Sequence, residues 1–94
     1  MIEGELYVLA SSPKCVFAYK SKSGRTIYHY ACVNNDDEVR IPGLGFATGT
    51  LPRKPTRIAN DEERSRFYEH LHESGYHYNM ANKKVIRIST GELL

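Results

Sequence analysis

The sequence predicts an α+β domain: a small antiparallel sheet, open or curled into an SH3-like barrel, with one helix near residues 61–74 and a C-terminal β-hairpin. Three observations predict it. Runs of alternating apolar residues, separated by turn residues, fill the first half of the chain. A helix with a legible start, face and stop occupies Ile58–Tyr78. A further pair of short apolar runs follows it, joined by a turn that contains Asn82-Lys83-Lys84. Strands, then a single helix, then a hairpin is the order of an α+β domain, and the helix has only the sheet to bury against.

Glu5–Ala10 is the first expected strand, stopped by Ser11-Ser12-Pro13, where Pro13 biases Ser12 toward an extended conformation. Lys14–Lys20 is the second, with Cys15, Phe17 and Tyr19 on one face and Val16 and Ala18 on the other. Ser21-Lys22-Ser23-Gly24 reads as the hairpin loop, Gly24 taking the positive φ. Arg25–Val33 is the third and strongest strand, its Ile27, His29, Ala31 and Val33 alternating against Tyr28, Tyr30 and Cys32. Both faces are partly apolar, so this central hairpin should be curved, covered on one side and partly on the other. Asn34–Glu38 is a polar turn, and Val39–Ile41 is a fourth strand closed by Pro42-Gly43. Gly45–Thr50 is either a short fifth strand or a loop, and Leu51–Arg57, with two prolines, is an extended surface linker.

In the helix, Asn60 is a natural N-cap and Glu63 can reach back to the Asn60 amide. Asp61, Glu62 and Glu63 place negative charge at the positive end of the helix dipole. Phe67, Tyr68 and Leu71 form the apolar stripe, with the Arg64 stem beside it. Gly75 falls at the left-handed position after the helix, which sets Tyr76 against Leu71. Tyr76–Asn79 and Val85–Ser89 then flank Met80–Lys84, a hairpin turning on Asn82, and Gly91–Leu94 is expected to fray.

Ninety-four residues suit one domain of modest stability. The net charge of +2 is too small to argue nucleic acid by itself, but residues 1–34 carry four basic and two acidic side chains, which allows a local basic face. The two cysteines, Cys15 and Cys32, show no CxxC spacing and read as small buried hydrophobes. Glu3 and Glu5 sit where a secretion signal needs positive charge, and the apolar run Leu6–Ala10 is too short to span a bilayer. A cytoplasmic protein with free thiols is expected.

One stretch carries a family likeness. Ile58-Ala59, the acidic first turn, Phe67, Leu71, Gly75-Tyr76, the aromatic at Tyr78 and Asn82-Lys83-Lys84 follow a Tyr-rich half containing Tyr28-His29-Tyr30-Ala31 and Asp37-Glu38-Val39. This resembles a family of small proteins of gut Bacteroides and their phages to which no activity is attached. It covers about two thirds of the chain, and departs from the family where Tyr78 replaces a Trp and Asn60 a Thr. The resemblance implies a fold and an accessory role by association, and it transfers no functional residue.

Chemistry is sparsely signalled. His70 and His72, two apart on a helix, point about 200° apart, and His77 lies beyond the helix stop, so no metal site and no cofactor is expected. His29 reads as a sheet residue, with Cys32 on the opposite face of the strand. Gly43–Gly49 superficially resembles a phosphate loop but lacks the Lys-Ser/Thr ending and a following helix, so turn glycines are expected. Asp36–Glu38 reads as a solvated turn. No catalytic set emerges.

The remaining candidate is a surface. Tyr19, Tyr28 and Tyr30 lie on a hairpin with Lys14, Lys20, Lys22 and Arg25, and Arg53, Lys54 and Arg57 follow in the extended linker. Aromatic rings beside cations hold single-stranded nucleic acid. Cross-strand Tyr packing with solvated lysines is the plainer reading of the same residues. The sequence thus points first to a non-enzymatic module acting on a protein partner through a sheet edge or the Tyr face, with homodimerisation open. The alternative is a sequence-tolerant single-stranded nucleic-acid binder.

Overall fold

The computed structural model describes residues 1–44 and 48–94. Alternating apolar residues build strands β1 (Leu6–Leu9), β2 (Ser12–Ser23) and β3 (Thr26–Val33), which pair antiparallel in that order. Two short strands share the outer edge of β3: β4 (Val39–Arg40) pairs Cys32 and Val33, and β5 (Thr50–Pro52) pairs Thr26–Tyr28. At the other side β6 (Thr56–Ile58) pairs β1. Helix α1 (Asp61–Glu73) follows, then the separate hairpin β7 (Tyr76–Asn79) and β8 (Lys84–Arg87).

The sheet is open, with no ladder joining β4 or β5 to β6, which corrects the barrel option. β4 is two residues long and β6 leads directly into the helix, so the edge strands end before they can meet. The helix and hairpin cover one face instead. Leu6, Val8, Val16, Ala18, Ala31 and Val33 of the sheet pack there with Phe67, Leu71, Tyr78 and Val85. The opposite face holds a smaller core of Tyr7, Leu9, Cys15, Phe17, Tyr19, Ile27 and Cys32, against which Leu51 packs.

The helix starts as its sequence dictates. Asn60 Oδ1 accepts from Glu63 N at 2.8 Å and Glu63 Oε1 accepts from Asn60 N at 2.9 Å, a complete capping box. Ser74 caps the other end, Gly75 follows at φ 91°, and Tyr76 packs half-buried on the core that contains Leu71. Two arginines tie the helix to the sheet. Arg64 Nη1 meets Glu5 at 2.5 Å. Arg66 bonds the Lys14 carbonyl, the Asn34 carbonyl (2.9 Å) and Asp37. The turn expected to be merely solvated is therefore a docking point for the helix.

Several expected boundaries move. β2 runs on through Ser21–Ser23, so the hairpin turn falls at Gly24-Arg25, with Gly24 at φ 56°. Part of the expected extended linker pairs as β5 and β6. The first half of the expected element Gly45–Thr50 lies outside the described residues; of the rest, Thr48 and Gly49 are not in a strand and β5 begins at Thr50. The simple alternation along β3 fails, because register shifts on either side of Tyr19 put Ile27 in the smaller core with Cys32 while Ala31 and Val33 enter the main one. The tail does not fray: Leu93 bridges Ile86 and Leu94 N donates to the Val85 carbonyl at 2.9 Å, so it returns along β8. Among the described residues no helix is long and apolar enough to cross a membrane.

A candidate binding cleft beside the central hairpin

The β2–β3 hairpin, the segment after β4 and the end of the C-terminal hairpin meet around a cleft of about 300 Å³. Lys20, Tyr28 and Tyr30 line it from the hairpin, Pro42 and Gly49 from the loop, Lys83 from the β7–β8 turn and Lys84 from the start of β8. No acidic side chain is among its described lining residues. Gly49 is required here: at φ +73° a Cβ would come within 2.4 Å of the Pro42 ring, and the Gly49 carbonyl accepts from His29 N at 2.9 Å. Asn82 Oδ1 accepts from Lys84 N at 3.1 Å, and Lys83 takes a left-handed φ of 58°, which turns the basic pair toward the cleft.

The two tyrosines of the cleft differ in role. Tyr30 is half-buried, stacks on Tyr78 at 6.5 Å between centroids, and donates its hydroxyl to Glu3. That hydrogen bond, with burial, pushes its hydroxyl pKa up to about 12. Lys20 Nζ lies 5.7 Å from its ring centroid. Tyr28 is 39% exposed and offers an open ring. Tyr28→Ala should therefore change stability by less than about 0.5 kcal/mol. Tyr30→Ala should cost about 1–3 kcal/mol through the lost stack and hydrogen bond. Urea denaturation of the two variants would check this, and equal losses would contradict it.

Of the residues singled out from the sequence, Lys20, Tyr28 and Tyr30 converge at the cleft. Tyr19 does not: it is 8% exposed and lies edge-on to Tyr7 in the smaller core, so the expected three-tyrosine face does not form. Lys22 and Arg25 are exposed at the hairpin tip, where Arg53 joins them by donating to the Gly24 carbonyl at 3.0 Å. Lys54 is exposed beyond them. Arg57 is engaged elsewhere, in a two-pronged pair with Glu63 at 2.7 Å that reinforces the helix cap. Lys83 and Lys84 were not found from the sequence as site residues. The Lys-Lys pair was visible, but only the tertiary fold brings it beside Lys20.

Other candidates resolve structurally. Gly43 sits in a turn at φ 86°, as expected of a turn glycine; Gly49, at φ 73°, lies outside any turn just before β5, and Gly45 lies outside the described residues. His72 Nε2 and His77 Nδ1 approach to 2.9 Å, although His77 lies beyond the helix stop, because the chain reverses at Gly75. His70 instead faces Asp37 and Glu73. The described residues contain no group of three or more His, Cys, Asp or Glu able to hold a metal. His29 is 3% exposed, and its Nδ1 has no hydrogen-bond partner among the described residues.

The fold and cleft define a small α+β domain with an open antiparallel sheet, one capped helix and a covering hairpin. Comparison with protein families, curated proteins and solved structures finds no match to this chain.

Proposed function

We propose that this chain is a non-enzymatic cytoplasmic binding module that holds another protein at the free edge of its sheet. The observation that carries this reading is the apolar margin at β6, where Ile58 is 57% exposed with Ile2 (70%) and Met1 (46%) nearby. Ile2 N donates to the hydroxyl of Tyr7, the residue paired with Ile58, and Thr56 Oγ1 donates to Met1 Sδ. Ala10 N bonds the Pro55 carbonyl and Ala59 N bonds the Leu6 carbonyl. By antiparallel alternation, the backbone groups of Thr56 and Ile58 then point away from the sheet. Such an edge suits an extended partner segment with apolar residues at alternate positions. β6 is three residues long, so the isoleucines supply most of the affinity. The likeness to Bacteroides and phage proteins supports an accessory role by association.

Ile58→Lys tests the edge. A concentration-dependent dimer in sedimentation equilibrium that the substitution abolishes makes the partner a second copy of this chain. A monomer that retains a defined host protein, with retention lost in Ile58→Lys, makes it a heterologous protein. Equal behaviour of both forms overturns the reading.

The cleft favours a second reading, single-stranded nucleic acid, with phosphates at Lys20, Lys83 and Lys84 and a base on the open Tyr28 ring. Fluorescence anisotropy of a labelled oligonucleotide should then show micromolar affinity at about 50 mM salt and a steep fall by about 200 mM. Tyr28→Ala should weaken binding while leaving the fold intact. Absence of binding at the lower salt removes this reading.

A further inference from the structure

The smaller core contains a feature that neither binding reading uses. Cys15 and Cys32 are 4% and 1% exposed, and both are free thiols. β2 and β3 pair Phe17 with Cys32, so Cys15 lies one diagonal step along the same face. The two sulfurs are 3.7 Å apart. A disulfide needs about 2.05 Å, and diagonal cross-strand neighbours have Cα atoms about 7–8 Å apart, at the limit of what a disulfide spans, so closure draws β2 and β3 together locally.

A cation stands beside the pair. Arg66 donates to the carbonyl of Lys14, the residue before Cys15, and to that of Asn34, two residues after Cys32. Access differs between the thiols. Cys15 follows exposed Pro13 and Lys14 near the start of β2, whereas Cys32 lies inside the ladder between β2 and β4.

We propose that Cys15 and Cys32 are a reversible dithiol–disulfide site, oxidised by a small hydroperoxide with Cys15 as the attacking thiolate. The Cys15 sulfur attacks one peroxide oxygen, the O–O bond breaks, and Cys15 becomes a sulfenic acid with release of water in the case of hydrogen peroxide. The Cys32 sulfur then attacks the Cys15 sulfur, the S–O bond breaks, and a second water leaves with the Cys32 proton. The two thiols lose two electrons and two protons, and the peroxide is reduced to two waters. The hydrogen bond from Cys32 lowers the Cys15 thiol below its ordinary value against the effect of burial, and Arg66 adds to the lowering. The same hydrogen bond and burial push Cys32 up, so Cys32 is the poorer nucleophile and does not react first; in the second step it passes its proton to the leaving hydroxide as it attacks the adjacent Cys15 sulfenic acid. The site is independent of the partner edge and of the cleft.

The experiment treats the folded full-length chain with a small excess of hydrogen peroxide, alkylates it in denaturant and digests it with trypsin without reduction. Cleavage at Lys14, Lys20, Arg25 and Arg40 separates Cys15–Lys20 from Thr26–Arg40. The expected product is these two peptides joined, lighter by two hydrogen atoms than their sum and separated again by a dithiol reductant. In Cys32→Ala the expected product is a Cys15 sulfenic acid trapped by a dione reagent. In Cys15→Ala, Cys32 should remain a thiol. The wild-type result stands even if a variant misfolds. Peptides left unlinked while the protein is still folded, or linked only between chains, would overturn the proposal, as would Cys32 reacting first.

Discussion

Replacing Leu71 by alanine is expected to destabilise the protein by about 2–4 kcal/mol, the cost of a cavity that rigid neighbours cannot collapse into. Leu71 is fully buried in the main core with Phe67, Tyr78 and Val85. The helix that carries it is 13 residues long and would be marginal in isolation, so its stability comes from this buried stripe. A domain of this length holds only about 5–14 kcal/mol in total. Thermal unfolding should therefore fall by about 10–25 °C. A change near zero would mean that the helix does not dock on the sheet through Leu71.

Acid is expected to destabilise the fold well before its carboxylates titrate. His29 is buried, and desolvation first, with the nearby Arg40 guanidinium, lowers its pKa from 6.5 to about 4. The unfolded chain therefore binds the proton more readily than the folded one between those values, and stability rises with pH across that window. It is complete above about pH 6.5 and is lost progressively as pH falls to about 4, by on the order of 3 kcal/mol. Glu5, Asp37, Glu38 and Glu63 are also lowered, each by hydrogen bonding. Their stabilising contribution is lost only below the ordinary carboxylate range, about pH 4.3. Urea unfolding at pH 7, 6 and 5 reads the His29 effect largely apart from theirs. His29→Gln should flatten the slope over that range, and an unchanged slope would show that His29 is not its source.

Much of this architecture follows from neighbours in the chain. The capping box between Asn60 and Glu63, the stripe of Phe67 and Leu71 and the reversal at Gly75 depend on spacings of a few residues, so the sequence alone determined the helix, its ends and its buried face. The same holds for β1 to β3, where partly apolar residues on both faces pointed to a hairpin covered on one side and partly on the other, and for the α+β order of elements. The tertiary structure decided what local pattern does not encode. Register shifts around Tyr19 moved Ile27 to the other face of β3, and Tyr19 became core because Tyr7 and Phe17 close around it. Short edge strands left the sheet open. Lys83 and Lys84 reached Lys20, and Cys15 reached Cys32, across separations of 17 residues or more, through pairings whose register depends on the whole chain. Spacing fixes the face a side chain takes within one element; which side chains meet across elements depends on how the sheet twists and what the helix covers.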